Sequence, residues 1–92
     1  MSRASRQKPR HLAKKLRAIR DALGLSQNGI IRKLGLASEI TQDYISAYER
    51  GVREPPLPVL LRYARVAGVC VDVLIDDTIR LPRKLPSVPR HS

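Results

Sequence analysis

The sequence predicts a compact all-α domain of five helices, and three observations carry that expectation. Apolar residues recur at helical spacing. Leu12, Leu16, Ile19 and Leu23 follow one another at intervals of four, three and four, and Leu57, Leu60, Leu61 and Ala64 give the 0, 3, 4, 7 spacing of a core-facing stripe. Glycine stands after each of the first four helical stretches, at Gly24, Gly35, Gly51 and Gly68, where a residue free to turn left-handed ends a helix. Finally, 92 residues suffice for one small domain with a modest core and a narrow stability margin. The domain is expected over residues 10–77, after a basic arm (1–9) and before an extended, proline-containing tail (78–92).

In chain order, the arm carries Arg3, Arg6 and Lys8 and ends on Pro9. The first helix, over 10–23, has Lys14, Lys15 and Arg17 off its apolar face. Ser26 caps the second, whose buried face is Ile30, Ile31 and Leu34. Gly29 in its first turn costs roughly 1 kcal/mol relative to Ala, so packing must hold this helix. Thr41 is the expected N-cap of the third helix, its hydroxyl accepting from an N–H of the first turn. Ile45 and Tyr48 lie three apart on the inward face, leaving Gln42, Asp43, Ser46 and Ala47 outward. A helix this short is not stable alone in water, so its neighbours must hold it. The connector Val-Arg-Glu-Pro-Pro-Leu-Pro (52–58) leads into the fourth helix, proline being tolerated in a first turn. A short fifth helix near 71–75 closes the core with Val71, Leu74 and Ile75. Cys70 stands at its N-cap position and reads as a small half-buried residue. In the tail, Ile79, Leu81, Leu85 and Val88 are spaced for an extended segment lying on a surface.

There are 18 Lys and Arg against 8 Asp and Glu, a net charge of +10, and it is unevenly placed. Residues 1–36 carry +9, residues 37–77 carry −3 and residues 78–92 carry +4. That polarity points to a polyanion on one side of the domain. All three aromatics are Tyr, which argues against a platform that stacks RNA bases on exposed rings. One cysteine permits no internal disulfide and fits a reducing compartment. With no apolar signal core and no run of ~20 apolar residues, a cytoplasmic protein away from membranes is expected. An enzyme is not expected. His11 and His91 sit at opposite ends, no Cys or His cluster has metal spacing, and Asp76-Asp77 reads as a cap or solvated turn. No catalytic residue, metal or cofactor is therefore assigned.

Leu16-Arg17-Ala18-Ile19-Arg20, Gly24-Leu25-Ser26-Gln27, Leu34-Gly35, Thr41-Gln42, Ile45-Ser46, the run from Glu49 to Pro55, Gly68-Val69 and Asp72-Val73-Leu74 come in an order that resembles the lambda-repressor-like (Cro-type, XRE) helix-turn-helix transcriptional regulators. The resemblance covers about residues 10–77. It implies a five-helix fold and a bacterial or phage, nucleoid-associated homodimer on double-stranded DNA, with the third helix in the major groove of a near-palindromic operator. Carried over by position, Gln42, Asp43, Ser46 and Ala47 face base edges. Gln27, Asn28, Arg50, Arg53 and Arg17 meet phosphates, the first two aided by helix N-terminal N–H groups. Arg20 and Glu49 match a pair tying the first helix to the third. The pairing also has a physical ground, since an unpaired carboxylate beside DNA would repel phosphate.

Two departures stand out. Nine residues (36–44) separate Gly35 from Ile45, about four more than such chains use. They either lengthen the turn or extend the third helix at its front, with Ser38 as a competing N-cap. Ile31 also stands where a small residue is usual, and its bulk would press the second and third helices apart.

The function expected is a sequence-specific transcriptional regulator acting as a repressor, with the dimer contact on the tail and the exposed parts of the fifth helix. The arm would lie along a DNA groove. The alternative is an antitoxin or adaptor module docking a protein partner through its C-terminal tail.

Overall fold

The computed structural model describes residues 9–86. Five helices follow in order: α1 (Leu12–Ala22), α2 (Gln27–Leu34), α3 (Gln42–Glu49), α4 (Leu57–Ala67) and α5 (Val71–Ile75), with no strand among the described residues. α1 is the hub, packing on α3, α4 and α5, while α2 packs on α3 and α4. Leu12, Leu16 and Ile19 from α1 meet Ile30, Ile31 and Leu34 from α2, Ile45 and Tyr48 from α3, and Leu74 from α5 in one buried cluster. Each fully buried aliphatic side chain contributes about 1.5–3 kcal/mol, which is how α2 and α3, eight residues each, stay helical. No helix among the described residues is long and apolar enough to cross a membrane.

The helix ends explain several residue choices. The Ser26 hydroxyl accepts from the Gly29 N–H at 2.9 Å and caps α2. A Cβ at Gly29 would lie 3.2 Å from that hydroxyl and 3.3 Å from the Leu25 side chain, so the glycine makes room for the cap. Gly35 closes α2 with φ 74°, and a Cβ there would meet the Arg62 guanidinium at 2.9 Å. That guanidinium reaches over from α4 and donates to the Leu34 carbonyl at 2.8 Å, so one helix caps another.

Several expectations are corrected. Thr41 has the extended backbone of an N-cap, but its side chain makes no capping bond; its carbonyl accepts from the Tyr44 N–H instead. The four additional residues lengthen the turn and do not extend α3. The Glu39 and Ile40 amides both donate to the Leu36 carbonyl, and Leu36 is buried with Ile40 packed beside the core. Ser38 caps no helix, its hydroxyl donating to the Glu39 carboxylate. Ile31 is a buried member of the core. On α4 the core stripe is Val59, Leu60, Tyr63, Ala64 and Ala67, whereas Leu57 is 75% and Leu61 40% exposed. Pro55, just before α4, and Tyr63 within it are buried instead. Ile75 is likewise 40% exposed, and Cys70 is exposed.

The start of the tail belongs to the same packed body. Leu81 packs against the core and Leu85 is 3% exposed within it. Leu85 is therefore not available for the dimer contact expected of it, because its own domain has buried it. Val88, His91 and the basic arm with Arg3, Arg6 and Lys8 lie outside the described residues.

Candidate nucleic-acid interface

α3 presents its inward side chains to the core and its N-terminal half to solvent. Ile45 is fully buried and Tyr48 nearly so, while Gln42 and Asp43 are exposed and Ser46 and Ala47 half-buried. Asp43 lies in the first turn, where the helix dipole favours a negative charge.

A chain of polar contacts fixes how this helix sits. Arg20 on α1 grips Glu49 at the end of α3 with two parallel bonds, Nε to Oε2 at 2.6 Å and Nη2 to Oε1 at 2.9 Å. Its remaining arm, Nη1, donates to the Leu25 carbonyl at 3.0 Å, holding the α1–α2 turn as well. The hydrogen bond to Glu49 is the main reason the Arg20 pKa is raised. With Glu49 only 5% exposed and Arg20 14%, this is a largely desolvated, bidentate pair, the geometry in which such pairs are strongest.

The network continues outward to the DNA-facing candidates. Gln27 Nε2 donates to Glu49 Oε1 at 3.3 Å, and Gln27 Oε1 accepts from Gln42 Nε2 at 3.1 Å. Gln27 is thus a strut between the buried carboxylate and the first residue of α3. Its amide keeps a second N–H, and Gln42 keeps its carbonyl oxygen, so both retain groups for an outside partner. Nothing in the sequence spacing announced that Gln27 and Gln42 touch, because they are 15 residues apart across the lengthened turn.

The remaining candidates are spread around α3. Arg50 is exposed and its Nε donates to the Ser46 hydroxyl at 3.2 Å, so Ser46 serves as a brace for Arg50. The Arg53 guanidinium lies 4.9 Å from the centre of the Tyr44 ring, within cation–π range. Asn28 is exposed in the first turn of α2. Arg17 is exposed on α1, 3.8 Å from Asp21 one turn along.

Sequence reasoning missed a second polar site on the other side of α1. Lys15, placed on an outward face, is in fact 7% exposed. Its ammonium donates to the carbonyls of Val73 at 2.7 Å, Asp76 at 3.1 Å and Ile79 at 2.8 Å, so all three of its protons reach the end of α5 and the turn beyond. Reciprocally, the Asp77 carboxylate accepts from the Arg10 and His11 amides at 2.8 and 3.1 Å, capping α1, whose own N-cap residue His11 offers no side-chain bond. These bonds hold the Asp77 carboxyl below its ordinary value, that from Arg10 most, against some desolvation. The Asp76 carboxyl is lowered too, by its bonds from the Thr78 hydroxyl and amide. The Asp76-Asp77 pair is thus a capping turn. A periodicity argument has no signal for a lysine whose partners are main-chain carbonyls about 60 residues away.

Known proteins with related sequences bear on this geometry. A helix-turn-helix family model matches residues 16–74, which runs from α1 into α5. Over 84 residues the chain is 43% identical to an uncharacterized HTH-type transcriptional regulator, y4dL, of Sinorhizobium fredii, the match covering 91% of this chain and 37% of that protein. The chain therefore spans little more than a third of the length of that relative.

Proposed function

The chain belongs to the helix-turn-helix family, and from that premise we propose that it is a sequence-specific double-stranded DNA-binding transcriptional regulator that reads the major groove with α3 and acts as a repressor. One observation carries the reading. α3 is fixed from behind by Arg20, Glu49 and Gln27, yet its first residues, Gln42 and Asp43, are exposed to solvent, and Gln42 keeps its carbonyl oxygen for an outside partner. A preorganised helix with a polar leading end is suited to base edges, which offer paired donors and acceptors in the major groove. Gln42, Ser46 and Ala47 are the base-facing set. Asp43 either accepts from a cytosine amino group or only favours the helix N-terminus. Gln27, Asn28, Arg50, Arg53 and Arg17 surround them as phosphate contacts, giving register without sequence information. Of the tail through which an antitoxin or adaptor would dock a protein partner, Leu85 is buried in the domain's own core.

One such helix spans too few base pairs to discriminate within a genome, so a two-fold dimer on half-sites about 34 Å apart is the working species. With Leu85 inside the monomer, the contact is placed on Leu57 and Leu61 on α4 and Ile75 on α5, the exposed large apolar side chains among the described residues away from the α3 surface that holds Val52. Selection from a random duplex pool tests the reading, followed by dimethyl sulfate footprinting of the enriched site. Protection of guanine N7 in two half-sites supports major-groove reading by a dimer. Failure to enrich any sequence refutes it.

A further inference from the structure

Beside α3 lies an open cleft of about 520 Å³ lined by Thr41, Asp43, Tyr44, Ala47, Val52 and Arg53. Its walls come from the exposed side of α3 and from the loop that follows, and the loop is pinned there. The Val52 and Arg53 amides both donate to the Ala47 carbonyl, at 3.0 and 3.3 Å. Val52 is 67% exposed, an apolar side chain flanked along the chain by Arg50 and Arg53. A lone exposed valine needs no explanation by itself. Here the backbone fixes it beside the Ala47 methyl and the Tyr44 ring, so three apolar groups line one recess, and Arg53 is held over the same ring.

We propose that this recess receives the 5-methyl group of a pyrimidine in the major groove, and that Val52 is a specificity-determining residue; this rests on the DNA-binding reading above. The complementarity is chemical. Of the groups that a base pair shows in the major groove, the pyrimidine 5-methyl is the apolar one, and small apolar side chains are its usual contacts. Two bases carry it, thymine and 5-methylcytosine, and each shows a different neighbour next to the methyl. Thymine offers an O4 acceptor, which the Thr41 hydroxyl can serve. 5-Methylcytosine offers an amino donor, which the Asp43 carboxylate can accept. In both cases Arg50 and Arg53 supply the positive charge that the adjoining phosphates require.

The test uses the full chain and its enriched duplex. Each thymine of a half-site is replaced in turn by uracil, and each cytosine by 5-methylcytosine, with wild-type protein and with Val52→Ser, an exposed position where folding is undisturbed. Loss or gain of one buried methyl is expected to change wild-type affinity by about fourfold per half-site at one position. Val52→Ser is expected to abolish that difference. A response to uracil identifies thymine as the ligand, and a response to 5-methylcytosine identifies the methylated base. An enriched site indifferent to every methyl change, or a methyl response that persists in Val52→Ser, overturns the proposal and leaves the DNA-binding reading standing. If no sequence is enriched at all, the DNA-binding reading itself fails and this proposal falls with it.

Discussion

Four buried or half-buried polar side chains behave very differently in this small domain. Glu49 and Arg20 satisfy each other, so removing one strands the other. Glu49→Ala is expected to cost about 3–5 kcal/mol, and a double Glu49→Leu, Arg20→Leu variant should recover much of that loss, as denaturant unfolding of the single and double variants can show. Lys15 has its three protons on main-chain carbonyls. Lys15→Met keeps the apolar stem and leaves those carbonyls unpaired, at an expected cost of about 1–3 kcal/mol in the same measurement. Tyr63 is the reverse case. Its hydroxyl is buried with no hydrogen-bond partner among the described residues, and burial pushes its pKa far up. Tyr63→Phe should therefore leave stability unchanged or raise it by up to about 1 kcal/mol, while Tyr63→Ala should cost several times that amount. The two tail carboxyls set the acid behaviour. Asp76 and Asp77 are depressed in the folded state, so their contribution is present above the ordinary value of 3.8 and is lost as pH falls below it through the folded values. Because both are exposed the effect is modest. The shift in unfolding midpoint between about pH 6 and about pH 3 should shrink in an Asp76→Asn, Asp77→Asn variant.

At the scale of the helices, α3 depends on α1 and α2 for its orientation, and Gln27 is the link that reaches its leading end. Gln27→Ala is accordingly expected to do two things at once. It weakens binding to all duplexes through a lost phosphate contact, and it relaxes preference at the base pair met by Gln42, because the bond positioning that side chain is gone. Arg53→Ala should lower affinity for every sequence alike and flatten the salt dependence by about one unit of slope; binding titrations over a range of salt would show it. The same helices show what was legible in the sequence. The faces of α1 and α2 could be read because Leu12, Leu16, Ile19, Ile30, Ile31 and Leu34 repeat with the helical period and are buried. The register of α4 could not, since Leu57 and Leu61 fit that period as well as the true stripe does. The stripe that is buried includes Tyr63, a residue type that aliphatic spacing does not weigh. The residue types near the candidate site were visible in order, but the Gln27–Gln42 contact, the Ser46–Arg50 brace and the Val52 recess depend on loop geometry set by the 36–40 turn and the bonds to Ala47.

For the whole molecule, α1 divides the labour. One side of it holds α3 through Arg20 and Glu49, and another holds the end of α5 and the tail through Lys15, with Asp77 returning the favour at its N-terminus. Leu85 in the core shows that the body of the protein extends past α5, which the proline-rich sequence of that region did not reveal. In the proposed dimer the contact is therefore placed on Leu57, Leu61 and Ile75, which are exposed. Leu61→Lys with Ile75→Lys should leave the fold intact and give a one-to-one complex on a single half-site by sedimentation, where the unaltered protein gives two copies on the full operator. The central claim is that α3 reads base sequence, and the most direct measurement compares the affinities of the wild-type chain and Gln42→Ala for the enriched operator and for a scrambled duplex at one salt concentration. The account predicts that the variant loses roughly 1–3 kcal/mol on the operator and almost nothing on the scrambled duplex. An equal loss on both, or no wild-type preference between them, would contradict it.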